Sequence, residues 1–209
     1  MALVLGLDPG SRHTGYGLIR LGDLGRASLL ASGRLSPPPD WPLPRRLAHI
    51  HQGLAELMSG HHPEAVAVET IFTGRNIRSA VILAQARGVA LLAAAQGGAE
   101  VFEYAPREIK NAVTGYGQAG KEQVAFMVAK LLNHKEPLSP DAADALAVAL
   151  CHAGRSTGPA GRPGRGVGWR GLSEEDLAAG PARRTGRGAG WRGLSEEDLA
   201  ELSQARSRP

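Results

Sequence analysis

Four acidic residues occupy positions from which a folded chain could present carboxylates at one site. Asp8 ends an apolar run near the N-terminus, and Glu69 directly follows the short apolar run 65–68. Acidic side chains are depleted in strands and rarely buried unpaired, so two acids at two strand ends indicate a shared role. Asp141 and Asp144 open a later helical segment, where a three-residue spacing puts both on one face. We therefore expect the four carboxylates to converge.

The donor atoms of these acids indicate both the metal and the reaction. Four negative charges close together repel one another and call for compensating cations. All the ligands are hard carboxylate oxygens, and no cysteine pair or His-x-x-x-His spacing accompanies them, so Mg²⁺, with Mn²⁺ as a substitute, fits better than zinc. Two such ions about 3.5–4 Å apart can activate a water and stabilise the leaving oxygen of a phosphodiester. The acids thus predict phosphodiester hydrolysis, although Asp141 and Asp144 alone could merely favour a helix N-terminus electrostatically.

Aromatic and basic residues near the acids suit contact with nucleic acid. Phe72, Arg75 and Arg78 follow the second acid and offer one ring for stacking and two guanidiniums for phosphate. Lys110 and Lys121 bracket a glycine-containing loop between two predicted helices. Taken alone, Phe72 is better explained as a core residue, and each lysine as a solvated surface charge.

Hydrophobic periodicity in residues 1–153 predicts the elements that must position these side chains. Three strand-like stretches joined by short loops predict an antiparallel meander, after which helix and strand alternate. The pattern predicts an α/β fold with a five-stranded mixed sheet flanked by helices. The helix from Asn76 is apolar nearly all round, so it is either a buried central helix or shared with a second subunit. Predicted strands cover 2–8, 14–21, 26–35, 65–68 and 101–104, and predicted helices cover 47–57, 76–96, 106–113, 121–132 and 140–152.

Composition separates this nuclease domain, 1–153, from a C-terminal tail, 154–209. The tail holds 12 of the 28 glycines, and its ten basic and seven acidic side chains contribute most of the net charge of +4. Such a segment cannot bury a core, so we predict that it is disordered. Its residues 165–178 recur at 187–200 with one difference, Val167 against Ala189. The duplicated motif is either a functionless tail or a tethered docking peptide anchored by Trp and Leu.

The cellular compartment is predicted from what the N-terminus and the cysteine content allow. Cys151 is the only cysteine in the sequence, so no internal disulfide forms, which agrees with a reducing compartment. The apolar run at the N-terminus ends at Asp8 and lacks the basic leader and cleavage site of a signal peptide. We expect a cytoplasmic protein with no membrane association.

Several motifs occur in order along residues 1–153: LGLDPGSRHTGYG at 5–17, ETIF at 69–72 with Asn76, QARGVA at 85–90, FEYA at 102–105 and DAADALA at 141–147. Together they resemble the RuvC family of bacterial Holliday-junction resolvases. The resemblance implies a ribonuclease H-like fold and a homodimer. It also implies paired nicks in two strands of like polarity across a four-way DNA junction, with two Mg²⁺ ions per subunit.

The same resemblance implies roles for individual residues. Asp8, Glu69, Asp141 and Asp144 match the metal-binding catalytic acids. Phe72 matches the aromatic that stacks at the opened junction centre, and Lys110 and Lys121 match basic residues that contact DNA. Part of the helix from Asn76 would serve the dimer interface, and the branch-migration proteins RuvA and RuvB would be partners. The tail has no counterpart in the family pattern.

Three other functions are compatible with parts of the sequence. Asp8-x-Gly10 with a glycine-rich second strand also resembles the first phosphate loop of sugar kinases and actin-like ATPases, but no second phosphate loop or adenosine motif is evident. A junction-binding module without catalysis would not need all four acids. A ribonuclease H-like enzyme could instead prefer RNA or simple DNA flaps, against which the Phe72 loop argues weakly.

Overall fold

The computed structural model of the chain describes residues 2–22, 26–70 and 77–156. Three strands come first, and helices and strands then alternate, which confirms the predicted order. In the described residues the strands are β1 (Leu3–Asp8), β2 (Thr14–Leu21), β3 (Ala27–Leu35), β4 (Ala65–Glu69) and β5 (Glu100–Tyr104). The helices are α1 (Leu43–His61), α2 (Ile77–Gln96), α3 (Pro106–Thr114), α4 (Lys121–Leu131) and α5 (Pro140–Ser156).

The five strands form one mixed sheet in the order β3-β2-β1-β4-β5. β1, β2 and β3 pair antiparallel, as expected of strands joined by short loops. β4 pairs parallel to β1 and to β5, and each of these connections contains a long helix. The predicted meander and the predicted mixed sheet are both confirmed.

One face of the sheet is covered by α1 and α2. Leu5 and Leu7 of β1 point to this face and belong to a core cluster that includes Ile50 and Leu54 of α1. Because side chains alternate along a strand, Gly6 and Asp8 of β1 point to the opposite face. The chemistry of this chain therefore lies on the face away from the large aliphatic core.

The opposite face is covered by α5, against which α3 and α4 pack. Small residues on both sides let the helix lie close to the strands. A Cβ added at Gly6 would overlap the Ala145 carbonyl oxygen, and one at Gly15 would overlap the Asp141 carbonyl oxygen. These glycines place the first turn of α5 directly over the strand ends.

The helix α2 is only partly buried by the rest of the described chain. Ala86, Ala90, Ala93 and Ala94 are buried, whereas Ile77, Val81 and Leu92 are 79%, 52% and 51% exposed. In length and composition it could cross a membrane, but its alanine face packs into the core cluster beside α1. Of the two predicted alternatives, a central helix buried within one chain does not agree with this exposure.

The predicted domain limit lies close to an end of the described ranges, and several predicted residues lie outside them. α5 continues past Ala153 to Ser156, so the predicted domain limit at 153 lies inside its last turn. Predictions for Phe72, Arg75 and the tail, including its repeated motif, lie outside the described residues.

Candidate active site

Asp8 and Glu69 lie side by side at the end of the sheet where β1 and β4 finish. β1 and β4 are parallel neighbours, and the register pairs Leu7 with Val68, the residues directly before the two acids. Each acid is the last residue of its strand, so both lie at the carboxyl ends of two parallel neighbours. The sequence expectation that two strand ends present two carboxylates agrees with this placement.

Local hydrogen bonds hold the backbone where the chain leaves each strand. After Asp8, the Thr14 hydroxyl donates to the Gly10 carbonyl at 2.8 Å and accepts from the Gly10 amide at 3.3 Å. After Glu69, the Thr70 amide donates to the Tyr104 carbonyl at 2.8 Å. The described backbone that directly follows each acid is thus restrained by hydrogen bonds, which favours a fixed carboxylate geometry.

Asp141 and Asp144 lie in the first turns of α5, over the same sheet edge. Ser139 caps the helix, since its hydroxyl oxygen accepts from the Ala142 amide at 3.3 Å. Both aspartates are half-buried, whereas the residues that follow them in the helix are buried. With Gly15 beneath Asp141, the helix brings its two acids toward the strand ends.

The four acids form one electrostatic cluster. The pKa of Asp8 is raised to about 6, first by burial and then by the neighbouring charges of Asp144, Glu69 and Asp141. The pKa of Glu69 is also raised, first by burial and then by the charge of Asp144. Two strand-end acids and two helix acids are thus close enough to repel one another.

Two lysines named from the sequence lie beside this cluster. Lys121, at the start of α4, places its Nζ 3.3 Å from Asp144 Oδ2, and that carboxylate raises the lysine pKa. The charges of Lys121 and Lys110 both lower the pKa of Glu69. Of the two arginines predicted to bind DNA, Arg78 lies within the described residues, and it is exposed in the first turn of α2.

Sequence reasoning gave no role to two arginines that contact these acids. Arg34 of β3 places a guanidinium nitrogen 3.6 Å from Asp141 Oδ2. Arg87 of α2 donates from Nε to the Glu69 carbonyl at 3.5 Å and pairs with Glu103 at 2.8 Å. No local signal in the sequence marks Arg34, because its position depends on the pairing of β2 with both β1 and β3.

The donor set at this edge suits a hard divalent cation. Within the described residues, no three acidic, histidine or cysteine side chains already lie close enough together to form a ready ligand set. Instead, Lys121 and Arg34 each lie against one carboxylate. After the larger effect of burial, the charges of Asp144, Glu69 and Asp141 still raise the pKa of Asp8, so part of the repulsion is unrelieved. Oxygen donors with uncompensated negative charge are what Mg²⁺ or Mn²⁺ binds.

Comparison with known proteins identifies the family. The family model described as crossover junction endodeoxyribonuclease RuvC matches residues 4–152. The chain belongs to the RuvC family. A family member from Rubrobacter xylanophilus is 46% identical over 152 residues, covering 72% of this chain and 84% of the relative. One from Chlorobaculum parvum is 49% identical over 168 residues, covering 78% and 89%.

Solved structures agree with this assignment. The structure of T. thermophilus RuvC in complex with Holliday junction substrate has a TM-score of 0.71 and 38% identity, covering 75% of this chain and 95% of that chain. The yeast mitochondrial Holliday junction resolvase Ydc2 shares the fold alone, at 13% identity and a TM-score of 0.51 over 72% of this chain and 78% of that chain. The ribonuclease H-like fold predicted from the resemblance is confirmed.

Membership of the RuvC family also decides between the alternative functions. Asp8-x-Gly10 and the glycine-rich β2 resemble a kinase phosphate loop, but here Gly15 of β2 and Gly6 of β1 are covered by the backbone of α5. RuvC proteins are metal-dependent endodeoxyribonucleases, and the enzyme class predicted from the acids is confirmed.

Proposed function

We propose that Asp8, Glu69, Asp141 and Asp144 are the catalytic metal ligands with which this RuvC endonuclease resolves Holliday junctions. Family membership supplies the reaction, hydrolysis of DNA phosphodiesters at crossover junctions during recombination and repair. The observation that carries the proposal is the convergence of the four carboxylates where β1 and β4 end beneath α5, a position in which burial, and then the charges of Asp144, Glu69 and Asp141, raise the pKa of Asp8 to about 6.

The chain's own residues prepare this site by their position and by their charge. β1 and β4 hold Asp8 and Glu69 at adjacent strand ends, and α5 holds the two aspartates over them. Two Mg²⁺ ions per subunit, for which Mn²⁺ could substitute, would supply an activated water and charge stabilisation at the leaving oxygen. Lys121 and Lys110 contribute positive charge beside the reacting phosphate, where it stabilises charge that develops in the transition state.

The substrate is a four-way DNA junction bound by a homodimer. The exposed apolar residues Ile77, Val81 and Leu92 along α2 support an interface with a second copy, because such a face is costly to leave in water. Two copies related by a two-fold axis present two active sites. Paired, symmetric nicks follow from that arrangement.

Other contacts with DNA and protein partners are proposed from family resemblance for Phe72, RuvA and RuvB, and from their place in the sequence after Glu69 for Arg75 and Arg78. Phe72 stacks at the opened junction centre, and Arg75 and Arg78 contact nearby phosphates. RuvA and RuvB deliver the junction after branch migration. The enzyme acts in the cytoplasm, where DNA recombination occurs in bacteria.

The decisive experiment uses a synthetic four-way junction incubated with the full-length protein, with and without Mg²⁺. Mapping the cuts on all four strands should reveal Mg²⁺-dependent nicks at symmetric positions in two strands of like polarity. Nicks in a single strand, or equal cleavage of a flap substrate, would contradict paired junction resolution.

A further inference from the structure

We propose that Arg34 binds a phosphate of the substrate strand on the β3 side of the four acids, a role that rests on the function proposed above. Arg34 lies outside the motifs through which the chain resembles its family. Its placement follows from strand register, ion pairing and exposure.

Strand register places Arg34 level with Asp8, at the end of the sheet that carries the four acids. Asp8 of β1 pairs with Gly15 of β2, and Gly15 pairs with Arg34 of β3. Directly opposed residues of neighbouring strands point to the same face of a sheet, so Arg34 and Asp8 both point to the α5 face. Gly15 has no side chain, and the backbone of Asp141 lies over the position that one would occupy. Arg34 therefore flanks the acids at the β3 edge of the sheet.

The contact between Arg34 and Asp141 leaves the guanidinium able to bind something else. A single nitrogen approaches Asp141 Oδ2 at 3.6 Å, which is beyond hydrogen-bonding distance. The Arg34 side chain, which carries five N–H donors, is 51% exposed and so is accessible to a further ligand. An exposed pair of this kind contributes little to stability. A planar guanidinium is well suited to binding a phosphate through two donors.

The cations around the site are divided between its two sides. Lys121 and Lys110 approach from α4 and α3, and both lower the pKa of Glu69. Arg34 approaches from β3, where the exposed Arg12 and His13 lie in the neighbouring loop. A hydrogen bond of 3.0 Å between His13 Nδ1 and Ser36 Oγ ties this loop to the end of β3.

A DNA strand that crosses four carboxylates needs positive charge before and after them, because its phosphates are repelled by the acids themselves. The lysines supply that charge on one side only. Arg34 supplies it on the other, and it thereby orients the strand across the metal ligands. The competing interpretation is that Arg34 only neutralises Asp141.

The test measures junction binding by the full-length chain with Asp8→Asn, in Mg²⁺, over a range of salt concentrations. Adding Arg34→Ala should weaken binding roughly fivefold. It should also reduce the slope of log K against log salt by about 0.9 for each Arg34 that contacts the DNA. Arg34→Lys should keep the slope, because it keeps the charge. The matched control is Arg20→Ala, an exposed arginine at the other end of β2, which should change neither quantity.

Each result decides between the two interpretations. If Arg34→Ala keeps both the affinity and the salt slope while its circular dichroism melt is native, Arg34 is only a counter-ion of Asp141 and the proposal is overturned. If Arg34→Ala melts early, Arg34→Lys and Arg34→Gln are compared, and equal slopes for these two overturn it as well. Failure of the Asp8→Asn parent to bind any junction would overturn the proposed function, and the role of Arg34 with it.

Discussion

Gly15 of β2 lies directly beneath the backbone of Asp141, and a Cβ at position 15 would overlap the Asp141 carbonyl oxygen. The neighbouring atoms belong to the backbone of α5, so the clash could be relieved only by moving the helix. The position of Asp141, one of the four proposed metal ligands, therefore depends on the absence of a side chain on a neighbouring strand.

Replacing Gly15 with alanine should displace the first turn of α5 and with it Asp141 and Asp144. We expect a loss of about 1–3 kcal/mol in the free energy of unfolding and weaker Mg²⁺ binding, measured by thermal unfolding with and without the metal. The matched control is Gly60→Ala in α1, where an added Cβ meets nothing within 4 Å. That variant should be as stable as the parent or slightly more so. Equal stability and Mg²⁺ affinity in Gly15→Ala would show that α5 is not seated as described.

Removing one carboxylate should separate cleavage from binding. Asp8→Asn and Asp144→Asn keep the shape of the side chain but remove a charged ligand, so we expect Mg²⁺-dependent nicking to fall by roughly a hundredfold or more. Junction affinity, measured by gel shift, should survive. Loss of binding together with cleavage would mean that these acids are structural, and the metal-site proposal would fail.

The same Asp8→Asn substitution should stabilise the metal-free protein at neutral pH. The pKa of Asp8 rises from 3.8 to about 6 on folding, because burial and three neighbouring acids disfavour the charged form. The unfolded chain loses this proton first, so stability falls as pH rises from about 4 to 6, and the full penalty persists above that range. This rise in the pKa of Asp8 corresponds to a loss of at most about 3 kcal/mol in the free energy of unfolding, which partial exposure reduces to about 1–2 kcal/mol.

Thermal unfolding in a chelator checks this expectation. At pH 8 the Asp8→Asn protein should melt several degrees above the parent, and the difference should vanish near pH 4. Adding Mg²⁺ should raise the melting temperature of the parent more than that of the variant. A variant less stable than the parent at pH 8 would show that Asp8 is stabilised, not strained, by its surroundings.

Lys121 should influence both the rate and its dependence on pH. Its charge lowers the pKa of Asp8 and of Glu69, so Lys121→Ala should raise both pKa values and move the acid limb of the pH–rate profile to higher pH. We expect the nicking rate at pH 7 to fall roughly ten- to hundredfold. Lys121→Arg keeps the charge and should keep the pH profile. Lys130→Ala, in the last turn of the same helix, is the control, and a similar loss there would indicate general destabilisation of α4.

The order of strands and helices along the chain, and the position of the four acids at the ends of these elements, could be predicted from the sequence, because alternation of apolar residues and acids at element ends are local signals. Arg34 could not, since its closeness to Asp141 depends on the pairing of β3 with β2 and on a helix that arrives more than 100 residues later in the chain. The exposure of α2 could not be predicted either. Its composition is apolar all round, and only packing shows which face the core covers.

We propose that the end of α5 marks where the catalytic domain can be cut from the tail. Gly154 is buried, and Arg155 pairs with Glu108 of α3 at 2.8 Å, so both belong to the packed domain. A chain ending at Ser156 should fold and nick junctions as the full-length protein does. A chain ending at Ala153 loses both residues and should melt lower, by the few degrees that correspond to about 1 kcal/mol. In the full-length chain, Arg155→Ala tests the ion pair alone and should account for only part of that difference. If the chain ending at Ser156 is unfolded or inactive, residues 157–209 contribute to the fold or to catalysis, and the division of the protein into domain and tail is wrong.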